Sequence, residues 1–399
     1  MTRLLQTYVL FTVCSLLAAC DDEPWERGMV DGYAPIYSTD ASLKQVRFQP
    51  PRKTVNGGKL FTAGTNVLQE EIDSGLHVIS YQDPAHPVKT GFLRVPGFQV
   101  AAIEGGYLYV NNYDDLISIP LKALSADMNV GRLVGVWKQL DYPIGPNADY
   151  FECVDPSKGI VVGWRKTKIN NPQCRRPAKP DNNFPEESYR SNPGLVASKG
   201  KLYLVNKESL AVYSLSVPDR PVIVKSEMLL GTKVDSIFLL NNSELAVVYG
   251  SQLDRRDGVS LNRTTSYSNL SYCVKVRAKG DTVYTISNQK SYCGPSPYLI
   301  KYRLRKDTTA AIEIDRLRVD MANAFVIAGS YIYIATEQGM VMVNIAGAAL
   351  ERAGDMTDDA YSSIVTNGNL LFVRSKQQII CYSIVTSPAS PSLISKLPY

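Results

Sequence analysis

Ala328-Gly329-Ser330-Tyr331-Ile332-Tyr333-Ile334, followed by Met340-Val341-Met342-Val343, decides the fold of this chain. Glycine supplies the positive φ that a tight turn requires. The β-branched and aromatic residues after it alternate as a strand does. A few polar residues then turn the chain into a second strand. The same phrase recurs as Gly105-Gly106-Tyr107-Leu108-Tyr109-Val110 with Asp115-Leu116-Ile117-Ser118-Ile119, and as Lys201-Leu202-Tyr203-Leu204-Val205 with Leu210-Ala211-Val212-Tyr213. It appears again as Asn367-Gly368-Asn369-Leu370-Leu371-Phe372-Val373 with Ile379-Ile380-Cys381-Tyr382. With weaker copies near Gly58, Asn242 and Gly280, seven copies begin near 58, 106, 200, 242, 280, 329 and 368.

A further strand precedes the glycine, as in Gln99-Val100-Ala101-Ala102-Ile103, and another follows a turn. Three copies make that turn as Pro-x-x-Pro, at Pro84–Pro87, Pro218–Pro221 and Pro388–Pro391. Proline removes ladder donors and so suits the approach to an edge strand. Four strands in each repeat predict an all-β chain, a β-propeller of four-stranded antiparallel blades. Seven blades are expected, with six as the alternative. The copy near Asn242 gives up its second strand to a polar tract, Asp254 to Asn269, which is what keeps six open. A β-sandwich pair is the rival, but it does not demand a repeated phrase.

The N-terminus carries a second signal. Arg3, an apolar run from about Leu4 to Leu17 and then small residues have the layout of a secretory signal peptide. A short membrane anchor is the plainer alternative, but a span needs about 20 predominantly apolar residues. The ending Leu17-Ala18-Ala19-Cys20 resembles the bacterial lipobox. That resemblance implies cleavage before Cys20 and its acylation with palmitate. Residues 1–19 would then be the signal, 20–45 a lipid-anchored tether and first strand, and 46–399 the propeller. Asp21-Asp22-Glu23 resemble the surface-export signal of Bacteroidetes lipoproteins. The phrase Gly75-Leu76-His77-Val78-Ile79-Ser80-Tyr81-Gln82-Asp83-Pro84-Ala85-His86-Pro87-Val88 resembles the LVIVD repeat, whose members are propeller-like lipoproteins of Bacteroidetes. It implies a cell-envelope, outer-membrane lipoprotein, with surface exposure, and no defined activity.

The seven cysteines suit export. Cys14 lies in the signal. Cys153 with Cys174, and Cys273 with Cys293, each close a loop of about 20 residues, for which a disulfide typically contributes roughly 3 kcal/mol. Metal binding is the rival; there is no C-x-x-C, and two histidines are too few to help. Cys381 is left as a buried strand residue. Residues 141–193, rich in Pro and Asn, break the rhythm as an insert that is either a binding loop or decoration.

Net charge is +5, and no Lys/Arg block is long enough for a nucleic-acid stripe. His77 and His86 have no obvious acid or nucleophile beside them, and His77 reads as a packed strand residue. No nucleophile elbow, zinc-protease helix, phosphate loop or EF-hand occurs. The acid pairs Glu70-Glu71, Asp114-Asp115, Glu186-Glu187 and Asp358-Asp359 are candidates for Ca²⁺ or paired carboxylates, but neighbouring strand residues point to opposite faces. Tyrosines at the repeated position, among them Tyr107, Tyr109, Tyr203, Tyr284, Tyr331 and Tyr333, read as inter-blade packing, with an aromatic binding surface as the other reading. Asp235-Ser236-Ile237, Asp281-Thr282-Val283 and Asp307-Thr308-Thr309 resemble a short O-glycosylation motif of exported Bacteroidetes proteins. The expected function is a non-catalytic, lipid-anchored display platform that binds protein or glycan, with no metal, cofactor or catalytic residue. A glycan hydrolase with acids converging on the channel and a purely structural envelope component are the alternatives.

Overall fold

Alternating apolar residues bounded by turn formers do become strands throughout. The computed structural model describes residues 28–137, 150–175, 194–206, 209–229, 234–241, 243–271, 274–287 and 297–399. No α-helix occurs among them, only two short 3₁₀ turns, Ala41–Lys44 and Pro156–Lys158. Two compact units are formed, residues 28–39 with 150–175, and residues 40–137 with 194–399. The expected positions Cys20, Cys273, Cys293 and Glu186-Glu187 lie outside the described residues.

Strand β1 (Met29–Ser38) belongs to the smaller unit. The first sheet of the larger unit holds β2 (Arg47–Gln49), β3 (Gly57–Ala63), β4 (Asn66–Glu71), β5 (Gly75–Ser80) and β6 (Val88–Arg94). The second holds β7 (Ala101–Glu104), β8 (Tyr107–Asn112), β9 (Asp115–Pro120) and β10 (Gly131–Leu133). Strands β11 (Tyr150–Phe151), β12 (Ile160–Asn170) and β13 (Cys174–Arg175) return to the smaller unit. The third sheet is β14 (Gly194–Ser198), β15 (Lys201–Asn206), β16 (Ser209–Ser214) and β17 (Val222–Met228). The fourth is β18 (Ser236–Leu239), β19 (Glu244–Tyr249), β20 (Gln252–Asp257) and β21 (Arg263–Tyr267). The fifth is β22 (Val274–Lys279), β23 (Thr282–Ser287), β24 (Tyr298–Arg303) and β25 (Ile312–Arg318). The sixth is β26 (Ala322–Ala328), β27 (Tyr331–Thr336), β28 (Gly339–Asn344) and β29 (Glu351–Met356). The seventh is β30 (Ser363–Thr366), β31 (Leu370–Arg374), β32 (Gln378–Ser383) and β33 (Ser392–Pro398).

Within each of these seven sheets the strands follow chain order as an antiparallel meander. The first sheet departs from the four-stranded expectation, because β2 adds a fifth strand outside β6, with Phe48 opposite Leu93. Turn glycines behave as the repeat requires: Gly200 and Gly329 sit at φ 72° and 58° between the first and second strands. In the first sheet that turn is at Gly64 (φ 62°), so Gly58 lies inside β3 and the phrase starts later than expected. Between third and fourth strands the ladder slips by a bulge in six of the seven sheets, for example at Val78/Ile79 and Met342/Val343. Bulges there increase the local twist.

A meander with two apolar faces must bury both. Each sheet does so against the next. Leu76, Leu93, Leu108 and Ile117 join the first to the second; Tyr109, Leu202 and Tyr213 join the second to the third. Val205, Leu210, Leu245 and Val247 join the third to the fourth, and Ala246, Tyr267, Val283 and Tyr302 the fourth to the fifth. Ile286, Leu299, Ile332 and Val343 continue to the sixth, and Tyr333, Met342, Leu371 and Tyr382 to the seventh. A seventh cluster, Leu60, Val67, Ile79 and Tyr81 against Phe372, Ile379 and Cys381, returns to the first sheet and closes the circle. The expected propeller is what forms, with seven sheets among the described residues of the larger unit. Connections before the outer strands hook the ring together. Leu350 N donates to Asp315 Oδ2 at 2.6 Å, and Ser395 Oγ to Pro84 O at 2.6 Å. A Cβ at Gly131 would fall 1.8 Å from Asp219 O, and one at Gly354 2.3 Å from Ala389 O, so glycine is required where two of the Pro-x-x-Pro turns press on a neighbouring sheet.

The polar tract of the fourth repeat was expected to cost it a strand. It does not. Residues 252–257 are β20, paired residue for residue with β19, and Asp254, Arg255 and Arg256 are buried. The smaller unit is a sheet ordered β12-β1-β11-β13, in which Met29 opposes Asn170 and Pro35 opposes Trp164. The stretch expected as a tether and first strand supplies a ten-residue strand, and the insert supplies its partners. Cys153 and Cys174 are bonded within this sheet, as their spacing suggested.

Candidate functional site

Titratable side chains show where chemistry could reside. In the first sheet, His77 lies opposite Gln69, completely buried, with the edge of its ring on Phe92 at 5.0 Å between centroids. Glu71 turns back on it: His77 Nε2 is 2.9 Å from Glu71 Oε2. The carboxylate also accepts the N–H of Asn56 (2.6 Å) and of Val55 (3.1 Å). Burial opposes ionisation of Glu71, but these hydrogen bonds outweigh it and hold the carboxyl below its ordinary 4.5. For His77 burial dominates and, against the pull of Glu71, keeps the imidazole below its ordinary 6.5. The pair is thus carboxylate and neutral imidazole, with the proton on Nε2. Nδ1 has no partner among the described residues.

Sequence reading missed this acid because Glu71 is six residues away across the β4–β5 turn, at a spacing that no catalytic motif uses. His86 has one as well, Asp83 Oδ2 at 2.8 Å from Nδ1, on an exposed turn. Neither arrangement includes a nucleophile hydrogen-bonded to the histidine among the described residues. The His77 pair acts on stability. A buried imidazole whose folded pKa is depressed gives stability that is whole above the unfolded value and lost as pH falls through the folded one. The midpoint of thermal unfolding is therefore expected to fall as pH drops from 7 through 6.5 and below, and His77→Gln should flatten that slope. Equal slopes for both proteins between pH 7 and 5 would show that His77 is not the cause.

The other acid pairs among the described residues are engaged too. Glu70 accepts Lys59 N–H at 2.7 Å, on the far side from Glu71, as alternation demands. Asp114 and Asp115 break that rule. Both reach Lys44 Nζ, at 2.5 and 3.0 Å, because Asp114 occupies the turn after Tyr113, whose φ is 56°, rather than a strand. Asp115 further takes Arg132 Nη1 and the N–H of Gly135. Asp358 accepts the hydroxyls of Tyr361 (2.7 Å) and Tyr382 (2.9 Å), and Asp359 accepts Ala360 N–H at 2.8 Å. No three His, Cys, Asp or Glu residues among the described ones converge as a metal site.

Two arginines of the polar tract are buried as well. Arg255 Nη2 meets Glu244 and, at 2.8 Å, Asp281 Oδ1. Arg256 meets Glu227 at 2.9 Å, Asp254 at 3.2 Å and the Leu261 carbonyl at 3.0 Å. Glu227 belongs to the third sheet and Asp281 to the fifth, so the fourth sheet is pinned on both sides by charge. The tyrosines take the packing role: Tyr109, Tyr203, Tyr284 and Tyr333 are buried in inter-sheet clusters. Tyr203 donates to Gly258 O at 3.0 Å, and burial pushes the Tyr333 hydroxyl up to about 12. Cys381 is fully buried, as expected, and its thiol is likewise raised to about 12.

Exposed apolar side chains concentrate on one rim strand, β17, at Val222, Ile223, Val224 and Met228.

No protein-family model and no curated protein matches the sequence. Solved structures do. PorZ, an essential bacterial surface component of the type-IX secretion system of Porphyromonas gingivalis, aligns with a TM-score of 0.53 and 10% identity over 88% of this chain and 39% of that one. The WD40 β-propeller domain of Doa1 aligns with a TM-score of 0.51 and 9% identity over 83% and 94%. The computationally designed protein Ika8 aligns at 0.50 and 8% over 87% and 88%. At such identities the likeness is one of fold, and it agrees with the ring described above: this chain is a β-propeller.

Proposed function

We propose that this chain is a lipid-anchored, non-catalytic propeller of the cell envelope that binds a protein or glycan through its loops and rim. One observation carries the reading. The acids and bases that could do chemistry are spent on cross-ties inside and between sheets, Glu71–His77, Asp115–Arg132 and Arg255–Glu244 among them. What stays accessible is a rigid circular frame with apolar and polar rim strands, which suits recognition. Propeller neighbours such as the WD40 domain favour a protein partner, and PorZ supplies a precedent for the fold at a bacterial surface. The Cys20 anchor, with its palmitate, rests on the Leu17-Ala18-Ala19-Cys20 resemblance.

Two measurements test the proposal. Labelled palmitate is expected in the wild-type protein and not in Cys20→Ala; equal labelling of both removes the anchor. Immobilised residues 20–399 are expected to retain one component of an envelope extract saturably and to leave envelope polysaccharides intact. Turnover of such a polysaccharide by the wild type would overturn the non-catalytic reading.

A further inference from the structure

The outermost strands of the seven sheets differ in how they guard their free edges. An exposed edge presents unpaired N–H and C=O groups to any passing strand, and proteins blunt it with charge, proline, shortness or a cover. Strand β6 is covered by β2. Strand β10 has three residues. Strands β25 and β29 are charged, with Arg316 on Glu313 and Arg352 on Asp355. Strand β33 carries Lys396 and ends on Pro398. Strand β21 is short and polar. Strand β17 carries Lys225 and Glu227, but four of its seven residues are exposed apolar ones. Val222, Ile223, Val224 and Met228 are 58%, 54%, 51% and 57% exposed, and its outer edge pairs with no strand among the described residues.

Its two charges have a spacing that matches the strand itself. Lys225 is exposed and has no carboxylate partner among the described residues. Glu227, two residues on, gives Oε1 to Arg256. Residues two apart share a face of a strand. Two copies of β17 laid antiparallel about Ser226 would place each Lys225 directly opposite the other copy's Glu227, and each Val224 opposite the other copy's Met228. Directly opposed side chains of opposite charge, or both apolar, are the favourable unit of sheet pairing. Shifting the centre to Lys225 would oppose lysine to lysine, so charge selects the register. Such pairing is isologous and closes at two copies.

We propose that β17 is a self-association edge, through which two copies of this chain join their third sheets into one continuous sheet across a two-fold axis at Ser226. A seven-residue strand is only about 23 Å long. The contact is therefore smaller than the ~1,200–2,000 Å² of stable interfaces, and the dimer should dissociate in roughly the micromolar range.

Sedimentation equilibrium on the purified full chain should show the mass doubling between about 1 and 100 μM. Lys225→Glu should weaken the association at least about tenfold, since it opposes two carboxylate pairs. Val224→Lys should abolish it; if that variant loses its native circular dichroism, Lys225→Glu, at an exposed charged site, decides alone. Ser226→Cys should give a disulfide-linked dimer under mild oxidation, far faster than Glu351→Cys on the charged β29 edge. A chain that stays monomeric throughout, or a dimer in which Ser226→Cys links no faster than Glu351→Cys, overturns the proposal. So does a dimer indifferent to Lys225→Glu.

Discussion

Arg255→Ala is expected to destabilise the protein by about 3–5 kcal/mol, the cost of breaking a buried ion pair by removing one partner. The Arg255 side chain is 2% exposed and Glu244 16%. Without the guanidinium, Glu244 keeps only Asn241 and a distant Lys306, 3.9 Å away, against its desolvation. Removing both charges is a different experiment. Arg255→Met with Glu244→Gln leaves no buried carboxylate stranded, since Asp281 is 54% exposed, and should lie within about 1–2 kcal/mol of the wild type. The effect has a pH signature. The Arg255 hydrogen bond is the main reason that the Glu244 carboxyl lies below its ordinary 4.5. A depressed carboxyl gives stability that is whole above the unfolded pKa and lost as pH falls through the folded one. Urea midpoints of wild type and Arg255→Ala should therefore differ most at neutral pH and converge below 4.5. A constant difference across that range would mean that cavity formation, not charge, sets the cost.

Phe372→Ala is expected to cost a similar amount, about 3–5 kcal/mol, and to act at one place. Its ring lies 4.6 Å from that of Tyr81, and both are almost fully buried where the last sheet meets the first. No strand is shared across this seam. Side-chain packing holds it, helped by Leu60 N–H to Ser363 Oγ and Thr62 Oγ1 to Thr366 O, both at 3.2 Å. Hydrogen exchange in Phe372→Ala should accelerate first in β3 and β30, the strands on either side of the seam. Phe325→Ala, in the cluster joining the fifth and sixth sheets, should lose comparable stability without that local acceleration. Equal exchange patterns in the two variants would show that the seam is no weaker than the other junctions.

The architecture was legible because each repeat announces itself locally: a glycine of positive φ, then alternating residues that must bury both faces. The cross-ties were not, because each needs partners from distant strands. Arg255 and Arg256 made β20 look like a loop, since a run of charges reads as solvated until Glu244, Glu227 and Asp281 close around it. Asp114 and Asp115 share Lys44 only because a positive φ at Tyr113 moves the first of them out of the strand. The pairing of β1 with β12 joins residues more than 120 positions apart and leaves no local trace. The Cys153–Cys174 bridge was visible because cysteine spacing is itself a constraint on geometry.

The closed ring of seven sheets is the claim on which the rest depends, and its seam is the place to test it. Thr62→Cys and Thr366→Cys, 304 residues apart, should be joined in high yield by a short bis-maleimide within single chains. A pairing of Thr62→Cys with Thr282→Cys, a partly exposed position on the fifth sheet, should give none. Efficient intramolecular linkage of 62 to 366 is the result the ring requires; its absence in the folded protein would contradict the ring.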